Sequence, residues 1–77
     1  MRAILQRVLN AQVAIEGKVV GKIDKGLLVL VGFEPTDTLE DVSWMVAKIS
    51  GMRIFNDEQG KMNLSLEDIK GEILLVS

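Results

Sequence analysis

The chain has 77 residues, of which 48% are hydrophobic and 26% charged, and its formal net charge at pH 7 is -2. It contains neither cysteine nor histidine, which excludes a disulfide framework, a thiolate metal site and an imidazole base. The near balance of charge excludes binding to nucleic acid through bulk attraction and leaves only a local contact. A chain of this size forms one domain at most, and its stability alone would be marginal.

Neither a membrane span nor an export signal is expected. The longest unbroken apolar run is Leu27 to Val31, far short of the roughly 20 residues that cross a bilayer. Charge returns at Arg7, too early for the apolar stretch of about 7 to 15 residues in a signal peptide. We therefore expect a cytoplasmic protein. The mean hydropathy of +0.28 is high for a small domain and predicts that some apolar surface faces a partner.

The first 33 residues predict three or four sequential strands. Residues 3–8 and 12–15 favour two strands or one long bent strand. Glu16-Gly17 then leads into a strand over 18–23, and a two-residue link that ends in glycine supplies the positive φ of a tight hairpin. After a turn at 24–26, residues 27–33 are almost entirely apolar, which is typical of a buried central strand.

A helix is predicted from about Asp37 to Ser50. Either Asp37 or Thr38 can cap its start, and Gly51 can end it. Acidic residues in the first turn and a lysine in the last turn complement the helix dipole. The apolar residues fall on one stripe that we expect to face the core, namely Leu39, Val42, Met45, Val46, Ile49 and Met52.

Beyond the helix, the pattern predicts a short hairpin, one helical turn and a last strand. The hairpin pairs residues 52–55 with 61–64 around a polar loop that ends at Gly60. Residues 65–69 form the helical turn, and the strand starts at 71. Four consecutive apolar residues precede Ser77. A terminus inside a core strand is unusual, which favours a truncated chain over a natural edge strand.

Few residues indicate chemistry. The chain has no phosphate-binding loop, metal-ligand cluster, catalytic triad or dinucleotide glycine pattern. Two carboxylate pairs, Asp57-Glu58 and Glu67-Asp68, lie in polar loops, where no burial is expected to tune them for acid–base catalysis. Trp44 could stack on a nucleic-acid base, but a lone aromatic residue without a basic cluster is a weak sign, so we expect it to pack within the protein.

Arg7 is the most informative charged residue. It lies in an otherwise apolar strand, where a guanidinium group needs acceptors for up to five N–H donors. From the residue pattern alone, an outward-facing surface arginine is the simpler interpretation.

Several segments, taken in order, resemble the D-aminoacyl-tRNA deacylase family. They are Gln6-Arg7-Val8, the glycine-bounded strand 26–32, Arg53 to Asp57, Lys61 to Ser65 and Leu75-Val76-Ser77. The resemblance spans the chain, and residues 53–65 are its most specific part. It implies an α/β, β-rich fold, an antiparallel barrel-like sheet with one main flanking helix. Residues 1–77 would be a single incomplete domain, the N-terminal half of a protomer.

The resemblance also implies a homodimeric hydrolase that removes a D-amino acid or glycine from tRNA as translation proofreading, with no metal, no cofactor and no DNA partner. In the family, the motif Ser-Gln-Phe-Thr-Leu begins at the position of Ser77, and a Gly-cisPro pair in the second half reaches into the partner's site. Pro35 is the only proline and follows Glu34, so it is not that pair. Arg7 is implied to support the Gly-cisPro segment.

Catalysis by the main chain is implied for the complete enzyme. Backbone N–H groups near the Ser-Gln-Phe-Thr segment would polarise the ester carbonyl, and the 2′-hydroxyl of the terminal adenosine would help to deliver the attack. A rigid main-chain pocket would reject L side chains. Residues 1–77 alone are expected to be inactive, since only Ser77 of the motif is present. The alternative is a non-catalytic β-rich dimerisation or binding module, and the sequence after Ser77 distinguishes the two.

Overall fold

The computed structural model describes all residues 1–77, and the fold is mostly β with a single α-helix. Its strands form three open sheets: one of three strands and two two-stranded hairpins. No helix has the length and apolar character needed to cross a membrane. The elements in chain order are β1 (Arg2–Val8), β2 (Ala11–Ile15), β3 (Lys18–Ile23), β4 (Gly26–Gly32), α1 (Leu39–Gly51), β5 (Phe55–Asn56), β6 (Met62–Leu64) and β7 (Glu72–Val76).

The main sheet differs from the antiparallel barrel-like sheet that we expected. Its order is β1-β4-β7. β1 and β4 are antiparallel, with Arg2 opposite Gly32, but β7 is parallel to β4, with Glu72 opposite Gly26. Since α1 and the β5–β6 hairpin lie between β4 and β7 in the chain, they return the chain to the starting end of β4, as a parallel pair requires. The sheet is open and is not closed into a barrel.

β4 is the central strand of the main sheet, as its apolar sequence predicts. Leu27 and Val29 are fully buried on the face that α1 covers, whereas Leu30 on the opposite face is 43% exposed. Complete burial of such a side chain contributes about 1.5–3 kcal/mol. The core is therefore a single layer between this face and the elements that cover it: Leu27, Val29, Val31, Met45, Ile49, Phe55 and Leu66.

The β2–β3 hairpin has the two-residue turn that the sequence predicts. Glu16 and Gly17 have φ values of 51° and 80°, and two successive positive values are the mark of a type I′ turn. The hairpin packs on the other face of the main sheet. A Cβ atom on Gly21 would lie 2.9 Å from the Leu74 side chain, so the absence of a side chain at Gly21 allows β3 and β7 to approach.

α1 forms where the sequence predicts a helix, but it starts at Leu39 and includes Gly51, and its C-cap is Met52 and not the predicted Gly51. The Thr38 hydroxyl accepts a hydrogen bond from the Asp41 N–H at 3.2 Å, and the Asp41 carboxylate accepts one from the Thr38 N–H at 2.9 Å. This reciprocal pair is a capping box, which satisfies two N–H groups at the start of the helix. Of the two candidate caps, Thr38 is therefore the one used.

The predicted buried face of α1 is wrong at two positions, and the expected packing of Trp44 is wrong as well. Only Met45 and Ile49 are buried, whereas Leu39 is 86%, Val46 51% and Trp44 67% exposed. At 100° per residue, Met45 and Ile49 form a narrow line. The three-stranded sheet covers that line and leaves both flanks of the helix open.

The β5–β6 hairpin forms around the predicted polar loop. One carboxylate oxygen of Asp57 accepts hydrogen bonds from the N–H groups of Gln59 and Lys61 at 2.9 and 3.0 Å, and Gly60 has a φ of 77°. The following segment makes one turn, with the Ile69 N–H bonded to the Ser65 carbonyl at 3.3 Å. The sequence predicted both features, but the first strand of the hairpin is Phe55–Asn56 and not residues 52–55.

The molecule is thin and exposes more surface than a compact chain of its mass. Its extents are 42 × 34 × 16 Å and its radius of gyration is 13.6 Å, whereas a compact domain of this length has about 11.5 Å. Its accessible surface is 5901 Å², against about 4,700 Å² expected for its mass. Thirteen large apolar residues are exposed, which agrees with the high mean hydropathy.

Candidate functional site

Arg7 lies near the end of β1 and on the face of the sheet that carries the core. It is opposite Leu27 in the register, and residues paired in this way share a face. Its Nη1 donates a hydrogen bond to the backbone carbonyl of Ile54 at 3.0 Å, and its side chain remains exposed. Arg7 is thus both accessible and held: its guanidinium fixes the segment that leads into β5.

A cleft of about 400 Å³ opens beside Arg7. Its walls come from the end of β1, the turn before β4 and the short strand β5. The residues that line it are Arg7, Val8, Leu9, Lys25, Phe55 and Asn56. Two of these side chains are cationic and none is acidic, so the lining itself favours an anion.

Ser77 lies at the opposite end of the same sheet. Arg7 is in register with Leu27, and Leu27 is in register with Ile73. Ser77 comes four residues after Ile73, which places it roughly 13 Å further along the strands and roughly 10 Å across them. The structure does not bring Arg7 and Ser77, the two predicted site residues, together within one chain.

Ser77 lines a second cleft of about 370 Å³. The other lining residues are Arg2, Ile4, Leu30, Val31, Gly32 and Val76. Arg2 is the only ionisable side chain among them, and an arginine stays protonated and cannot accept a proton. No side chain of this lining can therefore serve as a general base for the Ser77 hydroxyl.

The third cleft has a volume of about 430 Å³ and is lined by Asp57, Glu58, Gln59, Asn63 and Leu64. It includes one of the two carboxylate pairs considered in the sequence. Asp57 already accepts two backbone hydrogen bonds within its own loop. Its structural role is to hold the loop between β5 and β6.

Two carboxyl groups have lowered pKa values, and both hold local structure. The backbone N–H of Glu34, at 2.7 Å, is the main cause of the lowered pKa of Asp37; partial desolvation opposes it, and the N-terminal ammonium group at 3.2 Å reinforces it. The backbone N–H and the hydroxyl of Ser65 are the main causes of the lowered pKa of Asp68. Neither carboxylate lines a cleft.

Sequence reasoning missed Lys25, which it assigned only to a turn. No local pattern marks this residue. It approaches Arg7 because the β1–β4 register places Val8 opposite Gly26, and that register is a long-range property of the fold. Side chains alternate between the two faces of a strand, and this alternation places Arg7 on the core face of β1. That position could therefore have been found from the sequence.

A family model described as D-Tyr-tRNA(Tyr) deacylase matches residues 4–77. The D-aminoacyl-tRNA deacylase of Thermosipho africanus is 60% identical over 77 residues, which is all of this chain and 52% of that protein. The D-aminoacyl-tRNA deacylase of Fusobacterium nucleatum is 52% identical over 77 residues, again all of this chain, and 51% of that protein. The chain thus spans about half the length of these curated relatives.

A solved structure named c-Myc DNA Unwinding Element Binding Protein superimposes with a TM-score of 0.90 at 39% sequence identity. The match covers 97% of this chain and 51% of that one. The arrangement of the chain described here thus recurs within a longer protein. Because the family model covers nearly the whole chain and confirms the resemblance seen in the motifs, the chain belongs to the D-Tyr-tRNA(Tyr) deacylase family.

Proposed function

We propose that the complete protein containing this chain is a D-aminoacyl-tRNA deacylase. It hydrolyses the ester between a D-amino acid or glycine and tRNA, as a proofreading step of translation in the cytoplasm. The observation that carries the proposal is the identity of 52–60% to relatives of that name over all 77 residues. Residues 1–77 contribute the central sheet, Arg7 and Ser77 to this enzyme.

The proposed mechanism relies on main-chain donors. The chain has no histidine or cysteine, and the cleft at Ser77 contains no side chain that can act as a base. Hydrolysis then depends on N–H groups placed about 3 Å from the developing oxyanion. The family motif that begins at Ser77 supplies these groups, and the 2′-hydroxyl of the terminal adenosine helps to deliver the attack.

We infer that the active enzyme is a homodimer. Arg7 and Ser77 lie at opposite ends of one sheet, and a site that needs both is completed by a second copy. Arg7 makes one side-chain hydrogen bond, so the remaining N–H groups of its guanidinium are available to the carbonyl groups of a Gly-cisPro segment. That segment then enters the partner's site beside Ser77.

The barrel-like closure belongs to the complete protein. β7 is an edge strand of the main sheet, and its residues Leu75 and Ile73 are partly exposed on the face that carries the core. An exposed apolar edge strand is normally paired or covered. In the complete protein, we expect a segment outside residues 1–77 to provide that cover.

A second candidate function is DNA binding, because the solved structure with a TM-score of 0.90 is named for a DNA unwinding element. The formal charge of -2 opposes it, since non-specific DNA binding depends on neutralised phosphates. A non-catalytic dimerisation module is the remaining alternative. The deacylase proposal differs from both because it requires turnover of an ester.

The test is a deacylation assay on the complete gene product with D-aminoacyl-tRNA and the matching L-aminoacyl-tRNA. We expect release of the D-amino acid only, and no activity above buffer from residues 1–77 alone, because losing even one oxyanion donor lowers kcat by about 10²- to 10³-fold. Binding of duplex DNA without turnover would favour the second candidate. Chirally selective turnover by residues 1–77 alone would place the site within them and overturn this mechanism.

A further inference from the structure

The cleft between Arg7 and Lys25 concentrates positive charge in a chain whose net charge is -2. The only ion pair in the structure joins the N-terminal ammonium group to Asp37. Neither cation of the cleft is therefore neutralised by a carboxylate. Two unpaired cations that share a concave surface attract anions more strongly than isolated surface lysines do.

The backbone around Lys25 is held in place by contacts with β7, which favours a built site over a chance cluster. The Lys25 carbonyl accepts a hydrogen bond from the Glu72 N–H at 3.1 Å. At the next residue, Gly26, a Cβ atom would overlap the Glu72 backbone, so no other residue fits. On the opposite wall, the bond from Arg7 to the Ile54 carbonyl fixes the guanidinium.

The carboxylate of Glu72, at the start of β7, does not cancel this charge. Glu72 accepts a hydrogen bond from the Asp24 N–H at 3.2 Å and makes no ion pair with Lys25. The cleft also includes Asn56, whose amide adds a neutral donor. Its apolar surface comes from Val8, Leu9 and Phe55. An ammonium and an amide donor beside a guanidinium charge, over an apolar floor, suit a phosphate group attached to a nucleoside.

We propose that this cleft binds a phosphate group of the tRNA backbone, with Lys25 as the principal contact and Asn56 as a further donor. Arg7 contributes its positive charge from the opposite wall, while its free N–H groups support the Gly-cisPro segment. The assignment to tRNA rests on the proposed function, whereas the affinity of the cleft for a nucleotide phosphate does not. The contact also accounts for how this chain, with a net charge of -2, can contribute to holding an RNA: the attraction is local. Lys25 is a binding residue and takes no part in the chemical step.

The first experiment measures deacylation kinetics of the complete gene product with Lys25→Gln. Because a hydrogen bond to a charged group is lost, we expect KM for D-aminoacyl-tRNA to rise about tenfold, with kcat unchanged. The slope of log(1/KM) against log salt should become shallower by about one. Lys25→Arg should restore KM. Lys18→Gln at the tip of the β2–β3 hairpin removes the same charge far from the cleft and should leave KM unchanged.

The second experiment tests phosphate binding by the cleft independently of deacylase activity. Titration of the complete gene product with AMP, followed by amide NMR, should shift the signals of Lys25 and Asn56, whereas adenosine, which lacks the phosphate, should not. Lys25→Gln should abolish the AMP response while its melting temperature stays that of the wild type. AMP binding by a protein that lacks deacylase activity would support the cleft and refute the proposed function. Equal responses to AMP and adenosine, or an unchanged KM for Lys25→Gln in an active enzyme, would overturn the phosphate site.

Discussion

Arg7 both binds the backbone of its own chain and keeps N–H groups in contact with solvent. Its position opposite Leu27 places it on the core face, where a charged group left without partners would be costly. The guanidinium reaches the edge of the core, donates to the Ile54 carbonyl and keeps its other N–H groups in contact with solvent. A long side chain of this kind can satisfy the backbone of one segment and still offer donors to another.

Replacing Arg7 with Gln should affect activity more than stability. The lost bond to the Ile54 carbonyl should lower the free energy of unfolding by about 1 kcal/mol, because the site is exposed. Deacylation by the complete protein should fall by more than this change explains if Arg7 supports the Gly-cisPro segment as proposed. Urea denaturation and the deacylation assay measure the two effects. Arg7→Lys keeps the charge without the planar fork, so full activity of that variant would contradict a positioning role.

The lowered pKa values of Asp37 and Asp68 predict acid-sensitive stability. A carboxyl group whose pKa is lower in the folded chain than in the unfolded chain stabilises the fold above its ordinary pKa, and this contribution disappears as the pH falls through the folded value. The melting temperature should therefore fall as the pH is lowered from about 5 toward 2. In the double variant Asp37→Asn, Asp68→Asn the dependence should be flatter.

The control for the acid titration is Glu58→Gln. The carboxylate of Glu58 accepts no intramolecular hydrogen bond, although it adjoins the Asp57 loop. Its replacement should leave the pH dependence of the melting temperature as it is in the wild type. Equal flattening by Glu58→Gln and by the double variant would show that general charge repulsion, and not these two bonds, determines the acid sensitivity.

At the scale of elements, α1 shows that the start of a helix is easier to predict than its buried face. The capping box of Thr38 and Asp41 is a local feature, and the sequence contains every atom that forms it. The buried face depends on what the helix packs against. Here the cover is narrow, so Met45 and Ile49 are buried while Val46 and Trp44, on either flank, stay exposed.

The helix can be tested with a matched pair of substitutions. Ile49→Asp places a charge in the core and should lower the free energy of unfolding by at least about 3 kcal/mol, enough to unfold a marginal domain. Val46→Asp, three residues earlier on an exposed flank, should change it by less than about 1 kcal/mol. Thermal melting followed by circular dichroism compares the two. Similar destabilisation by both would mean that Val46 is covered in the complete protein.

The sequence predicted the elements well because their signals are local. The Glu16-Gly17 turn, the helix cap, the loop at Asp57 and the apolar run of β4 are all properties of a few neighbouring residues. The direction of β7, the opening of the sheets and the approach of Lys25 to Arg7 were not predicted. They depend on pairing between distant segments, and no pattern within one segment encodes the register or direction of its neighbour.

At the scale of the whole molecule, the accessible surface is large for a chain of this mass. The accessible area of 5901 Å² exceeds by roughly a quarter the value for a compact chain of this mass. Of the 13 large apolar residues that are exposed, seven lie on the main sheet or on α1: Ile4, Leu30, Ile73, Leu75, Leu39, Trp44 and Val46. Exposed apolar area of this kind normally marks an interface.

Residues 1–77 in isolation should therefore associate. We expect light scattering at micromolar concentration to give at least a dimer, because burial of the apolar sheet face offsets the loss of translational freedom. Leu30→Lys and Ile4→Lys, on the outer face of the sheet, should shift the equilibrium toward monomer. The paired control, Lys61→Gln in the β5–β6 loop, should not. A well-folded monomer for the unmodified chain would contradict the prediction.

The parallel pairing of β4 and β7 also constrains the order in which the molecule assembles. β1 can fold back on β4 as soon as residues up to Gly32 are available, but β7 completes its pairing only after α1 and the β5–β6 hairpin have been synthesised. Until then the apolar edge of β4 is open, and such edges recruit other chains. The long connection between β4 and β7 must close before the contacts of β7 form, and the entropy cost of that closure slows the step. Docking of β7 is therefore the step at which folding on the ribosome competes with aggregation.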